Sequence, residues 1–297
     1  MRVMRSYIVA SICFVLLAMT SCLDKDNGVD TATQMKMDVE TIDNYLAANG
    51  LNAIKDKSGI RYIIEEVGKG YSPRLDQVIT ADYVGKFLDG TTFDDGEAKD
   101  MPLGGYIQGW QAALTIWPEG TKGKLFVPSP MAYGVKQVNS IPPNSILMFD
   151  ITLKEIVLSN AEKARFTSDT TAIENYLKAN EIVTEKDSTG VRYIITDPGE
   201  GAKPSLFSQV RFQSSGKSLS SSVEFYNGTS EPTDVFDSRV ANFINGIKVG
   251  LMKLGVGGKI TLYIPSGLAF GPVDNAASSL PANSNVIYEV ELLEILP

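Results

Sequence analysis

The chain has 297 residues, with 27 lysines and arginines against 35 aspartates and glutamates, and a formal charge of −8 at pH 7. That balance argues against nucleic acid as a partner. There is no histidine, and the two cysteines are Cys13 and Cys22. A Ser-His-Asp triad, a Cys-His dyad, a histidine metal site and a disulfide framework are therefore excluded, and no cofactor is expected.

Residues 1–22 read MRVMRSYIVASICFVLLAMTSC. Arg2 and Arg5 precede a short apolar run over 7–19, followed by small residues, which is the layout of a secretory leader rather than a membrane span. Small residues running into Cys22 resemble a bacterial lipobox, with Met19 where leucine is usual. The resemblance implies a leader over 1–21, lipid attachment at Cys22 and a tethered body in the cell envelope. The outer membrane facing the periplasm is the expected site, with the cell surface as the alternative. Residues 22–35 are polar and aperiodic and are expected to form a flexible tether.

Beyond the tether the chain repeats itself. IDNYLAAN at 42–49 matches IENYLKAN at 173–180, and SGIRYIIEEVGKG at 58–70 matches TGVRYIITDPGEG at 189–201. Further on, residues 109–134 align without a gap to 246–271, and 141–153 to 280–292. A unit this long is a domain rather than a solenoid repeat. The expected organisation is one domain over 36–158, a linker over 159–166 and a second domain over 167–297. Each copy opens with an amphipathic helix, at 36–49 or 169–180. In the first copy alternation predicts strands at Arg61–Ile64, Val78–Leu88, Lys124–Pro128 and Ile146–Ile156. Asp89-Gly90 marks a turn, and one short helix is expected between Gly109 and Gly120. The fold class is α+β.

The first copy carries Y-V-G at 83–85, D-G-T-T-F-D at 89–94, P-L-G at 102–104, Y-I-Q-G-W at 106–110, A-Y-G at 132–134 and I-P-P-N at 141–144, with Phe149 close behind. In that order and spacing these motifs closely resemble an FKBP-type peptidyl-prolyl cis-trans isomerase over about residues 58–158, and more weakly over 189–297. The resemblance implies a twisted antiparallel sheet wrapped over one short helix, with a proline pocket between them. It places Trp110 at the pocket floor, Tyr83, Phe93, Tyr106, Ile107, Ile141 and Phe149 in the walls, Tyr133 at the rim and Asp94 as the single acid. It further implies that the Ile107 N–H and the Tyr133 hydroxyl bind substrate carbonyls and that Asp94 orients Tyr83. The arginine that usually partners the pocket aspartate has no counterpart, and Lys99 is the nearest cation in sequence. Trp117 reads as core, and Gly68 and Gly70 as a turn.

The second copy allows two alignments between Val210 and Gly246. One sets Tyr226-Asn227-Gly228 on the Y-x-G motif and Phe236-Asp237 on F-D, and it needs a 12-residue insertion before Tyr226. The other sets Gly216 on Gly85, Phe225 on Phe93 and Tyr226 on Asp94. It needs less gap and is preferred. In both, Ile247 replaces Trp110, Phe270 replaces Tyr133, Leu280 replaces Ile141 and Tyr288 replaces Phe149, with Phe243 and Ile244 on Tyr106 and Ile107. The indole, the rim hydroxyl and the acid are gone, so this pocket is expected to be degenerate. The whole reads as a membrane-anchored folding assistant acting on proline-containing unfolded polypeptides, with the first domain catalytic and the second accessory. The alternative is a non-catalytic tandem binder of extended peptides.

Overall fold

The computed structural model describes residues 29–221, 224–227, 235–274 and 280–297, with the backbone alone at 224–227 and 235. The leader and Cys22 lie outside the described residues.

The first domain consists of α1 (Thr31–Ala48), β1 (Ile54–Lys55), β2 (Arg61–Glu66), β3 (Val78–Lys86), β4 (Thr92–Ala98), α2 (Gln108–Leu114), β5 (Lys122–Val127) and β6 (Leu147–Val157). Its six strands form one antiparallel sheet in the order β1-β2-β5-β6-β3-β4. The second domain repeats the plan with α3 (Asn160–Ala179), β7 (Glu185–Lys186), β8 (Arg192–Asp197), β9 (Gln209–Ser218), β10 (Glu224–Asn227), β11 (Val235–Arg239), α4 (Asn245–Leu251), β12 (Lys259–Ile264) and β13 (Val286–Leu296). Here β10 and β11 both pair with β9.

Period-two alternation gives each sheet two working faces. Along β6, Leu147, Phe149, Ile151 and Leu153 join the main core with α2, whereas Met148 faces the other way. There it meets Phe126 of β5 and Ile42 and Leu46 of α1. Each domain is therefore three layers deep, with a long helix outside the sheet and a short one inside. The second domain copies this with Ile173 and Leu177 of α3 on Tyr263 and Ile287. A buried carboxylate fixes each outer helix to its domain. Asp38 Oδ2 accepts from the backbone N–H and hydroxyl of Ser129 at 2.7 and 2.6 Å. Asp169 holds Ser266 in the same way.

Two expected boundaries are corrected. The tether was expected to run to 35, but α1 starts at Thr31, because Asp30 accepts hydrogen bonds from the N–H groups of Ala32 and Thr33 and so caps the helix. The expected linker over 159–166 is helical from Asn160. Ser159 and Glu162 form a reciprocal capping box, each satisfying the other's backbone N–H. The second domain thus follows the first with almost no free chain between β6 and α3.

The domains are docked. Asn245 of α4 accepts from the Ser72 N–H and donates to the Ser72 carbonyl, at 3.1 and 3.0 Å. Arg74 and Gln77 both donate to Glu162 of α3. Phe207 of the second domain lies against Tyr62 of the first, with ring centroids 5.8 Å apart.

Candidate active site

The inner face of the first sheet and the start of α2 enclose an aromatic box. Trp110 is buried on α2 and stands edge-on to Tyr83 and Phe149, with centroids at 5.4 and 5.5 Å, and it stacks with Tyr106 at 5.3 Å. Phe93 of β4 is edge-on to Phe149 at 5.7 Å. Such ring arrangements stabilise beyond simple area burial and fix ring orientation. Gly85 makes the closure possible. A Cβ at this position would lie 2.5 Å from the Phe93 ring and 3.3 Å from that of Phe149. Gly109 plays the corresponding part for the helix, since a Cβ there would meet Val127 at 2.5 Å.

The acid is placed by strand register. β3 pairs with β4 so that Gly85 faces Asp94. The Tyr83 hydroxyl donates to Asp94 Oδ2 at 2.7 Å. Burial, followed by that hydrogen bond to the carboxylate, pushes the Tyr83 hydroxyl up to about 12, so it remains a donor near neutrality. Burial also raises the Tyr106 and Tyr133 hydroxyls, with Asp100 and Asp94 respectively adding to the effect. Lys99 does not reach the acid; it pairs with Glu97 at 3.1 Å.

Ile107 is the residue that caps α2, in extended conformation. Among the described residues neither its N–H nor the indole N–H of Trp110 meets an acceptor. Ile107 is half-buried, so its N–H is open to a ligand carbonyl, whereas the indole N–H is a fully buried donor of the kind that is normally satisfied. Ile141 is buried in the same core, and Tyr133 lies at the surface, 37% exposed. Sequence reasoning passed over Gln111. Its side-chain amide donates to the carbonyls of Tyr106 and Gly104, at 2.7 and 3.0 Å, and so fastens the loop that presents Tyr106 and Ile107. The only sequence signal was its place on the helix next to Trp110.

In the second domain Gly216 faces Tyr288 across β13, and Tyr226 faces Gly216 across β10. The first domain sets Phe149 and Asp94 opposite Gly85 in the same way. This register matches the alignment of Gly216 on Gly85 and Tyr226 on Asp94. The extra residues fall after β10, where one edge strand becomes two. Pairing then resumes with Phe236 opposite Phe212, where the first domain has Ala98 opposite Ala81. Phe212 lies 5.2 Å from Phe236 and 4.8 Å from Phe243, centroid to centroid. Two alanines have become phenylalanines where the floor tryptophan has become Ile247, which is itself buried, as are Leu280 and Tyr288. Phe212, Phe236, Phe243 and Ile247 belong to one core cluster, so side-chain volume lost at the helix is offset on the sheet. Ile244 caps α4 as Ile107 caps α2, and Phe270 packs at the edge of this core.

A sheet wrapped over a short helix, with an aromatic slot, one acid and an unpaired Ile107 N–H between them, defines a proline-pocket domain; the second copy keeps the sheet and the helix without the indole and the acid. A sequence model described as FKBP-type peptidyl-prolyl cis-trans isomerase matches residues 70–154 and 201–293, more than half of the chain. The chain belongs to that family. Among curated relatives it is 36% identical to the isomerase FkpA of Aeromonas hydrophila over 143 residues, which is 44% of this chain and 53% of that protein. It is 32% identical to FkpA of Escherichia coli strain K12 over 162 residues, or 50% and 60% of the two chains. The matched stretch thus spans between half and two thirds of these relatives. The crystal structure of Escherichia coli FkpA is similar at 26% identity, covering 47% of this chain and 74% of that one, with a TM-score of 0.39.

Proposed function

We propose that the first domain catalyses peptidyl-prolyl cis-trans isomerisation on unfolded or extended polypeptides, and that the second is an accessory body without turnover. The observation that carries this reading is the box around Trp110, closed on one side by the Tyr83–Asp94 hydrogen bond. The reaction breaks no covalent bond, which suits a chain without histidine. Amide resonance sets a barrier of about 18–20 kcal/mol, and a twisted amide has lost that resonance. Resonance places charge on the carbonyl oxygen, which water stabilises. Aromatic walls exclude that water and disfavour the planar form relative to the twisted one. The Ile107 N–H would hold a substrate carbonyl, and Asp94 would keep the Tyr83 ring upright against the prolyl group.

The accessory reading of the second domain rests on the Phe212, Phe236 and Phe243 cluster, which packs in its core, and on the loss of indole and acid. Position 111 of α2 corresponds to position 248 of α4. Gln111 fastens the site loop of its own domain, whereas Lys248 reaches across to Ser72 of the other.

In keeping with the leader and the small residues before Cys22, the protein acts from a lipid anchor in the cell envelope on newly exported chains. The test is the rate of isomerisation of an X-Pro peptide by the full chain and by its Asp94→Leu and Trp110→Ala variants. Acceleration by wild type that both variants lose supports the assignment. Equal rates in all three would remove the isomerase activity from this pocket. Radiolabelled palmitate incorporation that Cys22→Ser abolishes would support the anchor.

A further inference from the structure

The described residues enclose a further cavity apart from the aromatic box. It lies between the domains, where the 69–78 loop and the end of β6 face the first half of α3 and the 266–272 turn, and it encloses about 790 Å³. That is the size of sites that bury a substantial ligand, and domain boundaries are a preferred place for them. Its walls include Tyr71, Val157, Leu158, Phe166, Leu268 and Pro272.

Five of the six charged side chains around it are already paired. Three bases, Lys69, Arg74 and Arg165, stand with three acids, Asp76, Glu162 and Asp169. Arg74 pairs with both Asp76 and Glu162, and Arg165 with Asp169. Gln77 donates to Glu162, and Asp169 also accepts from Ser266. The charges balance in number, and the paired groups face one another, while the exposed Lys69 has no ion pair among the described residues. Away from the exposed Lys69, a charged ligand would have to break an ion pair to be solvated, whereas an apolar one meets aromatic and aliphatic walls with no such penalty. Val157 is 40% exposed at the end of β6, where a register shift after Leu153 turns Ile156 inward and Val157 outward. It leaves apolar surface at the mouth that is uncovered among the described residues.

We infer that this inter-domain cavity is a second binding site, and that it takes uncharged apolar side chains of a non-native polypeptide. It rests on the proposed activity only in its choice of a polypeptide as the source of those side chains. Recognition here is by apolar shape, needs no proline, and requires both domains. A client can therefore be retained in the inter-domain site while its prolyl bonds visit the aromatic box.

The probe is a fluorescein-labelled, proline-free peptide of alternating leucine, phenylalanine and serine, titrated against the full chain by anisotropy. Filling variants are Gly267→Phe and Ala161→Phe. Gly267 lines the cavity and has nothing within 4 Å of where its Cβ would be, so the new side chain is accommodated locally. Binding should weaken at least tenfold in both variants, stay constant between low and high salt, and fall when two leucines of the peptide become lysine. X-Pro isomerisation should be unchanged in both variants. Equal peptide affinity in wild type and filled variants, or no binding of the proline-free peptide at all, overturns the inference. So does displacement of the peptide by Trp110→Ala alone, which would place it in the aromatic box. Loss of isomerase activity in wild type with peptide binding intact would overturn the activity assignment and leave the cavity standing.

Discussion

The hydroxyl of Tyr83 donates to Asp94 Oδ2 at 2.7 Å, and no cation competes for that carboxylate among the described residues, because Lys99 is held by Glu97. The acid's one side-chain partner is therefore the ring it orients. A hydrogen bond to a charged group contributes about 1.5–3 kcal/mol. If that energy positions the slot wall, Tyr83→Phe and Asp94→Asn should each lower kcat/KM by about 10- to 100-fold, since each tenfold needs about 1.4 kcal/mol. The double variant should be no worse than either single one, because both remove the same bond. Additive losses in an X-Pro assay would mean that the two residues act separately.

Trp110 touches three rings and is 3% exposed, so it serves packing and chemistry together. Trp110→Ala should cost about 3–5 kcal/mol of stability by leaving a cavity. Trp110→Leu keeps more of the volume and separates the two roles. It should lower isomerase activity at least tenfold while moving the urea midpoint much less than the alanine variant. Full activity in a folded Trp110→Leu protein would show that the indole is packing alone.

The second slot makes the opposite prediction. Phe212 is 1% exposed and packs on Phe236 and Phe243. Phe212→Ala should destabilise the second domain by about 3–5 kcal/mol, without changing X-Pro isomerisation by the full chain. A large fall in activity on this substitution would make the second domain a contributor to turnover.

Much of this was legible in the chain because the signals were local. The spacing of Gly85, Asp94 and Trp110 comes from strand register and one helix, so it survives as a pattern. The replacement of Trp110 by Ile247 could be read from an ungapped match. The compensating phenylalanines could not. Phe236 belongs opposite Phe212 only through β11, and an insertion after β10 hides that pairing from any comparison by offset. The early start of α3 was written locally as Ser159 and Glu162, a capping box that the repeat boundary obscured. The docking of Asn245 and Lys248 on Ser72 joins positions more than 170 apart, and no periodicity points to such a contact.

Lys248 gives the domain interface a pH signature. It is 6% exposed, and its ammonium donates to Ser72 Oγ at 3.1 Å and Asn245 Oδ1 at 3.3 Å. No acid pairs with it among the described residues, and burial lowers it to about 8 from the ordinary 10.5. The folded protein thus disfavours a proton that the unfolded chain keeps up to 10.5. Where the unfolded state binds more protons, stability rises with pH, so this group should add stability as pH climbs from about 8 towards 10.5. Tyr62, Tyr71 and Tyr83 act in the other direction. Burial lifts each hydroxyl to about 12 from 10.0, so stability falls once the unfolded tyrosines begin to ionise above 10.0. Denaturant midpoints of the full chain should therefore pass through a maximum between these limits. Lys248→Met removes the buried charge and keeps the length of the side chain. It should raise stability at pH 7 by about 1–4 kcal/mol and flatten the alkaline rise, leaving the tyrosine limb in place. An unchanged rise in Lys248→Met would assign it to another group and leave Lys248 as an ordinary charged lysine at the interface.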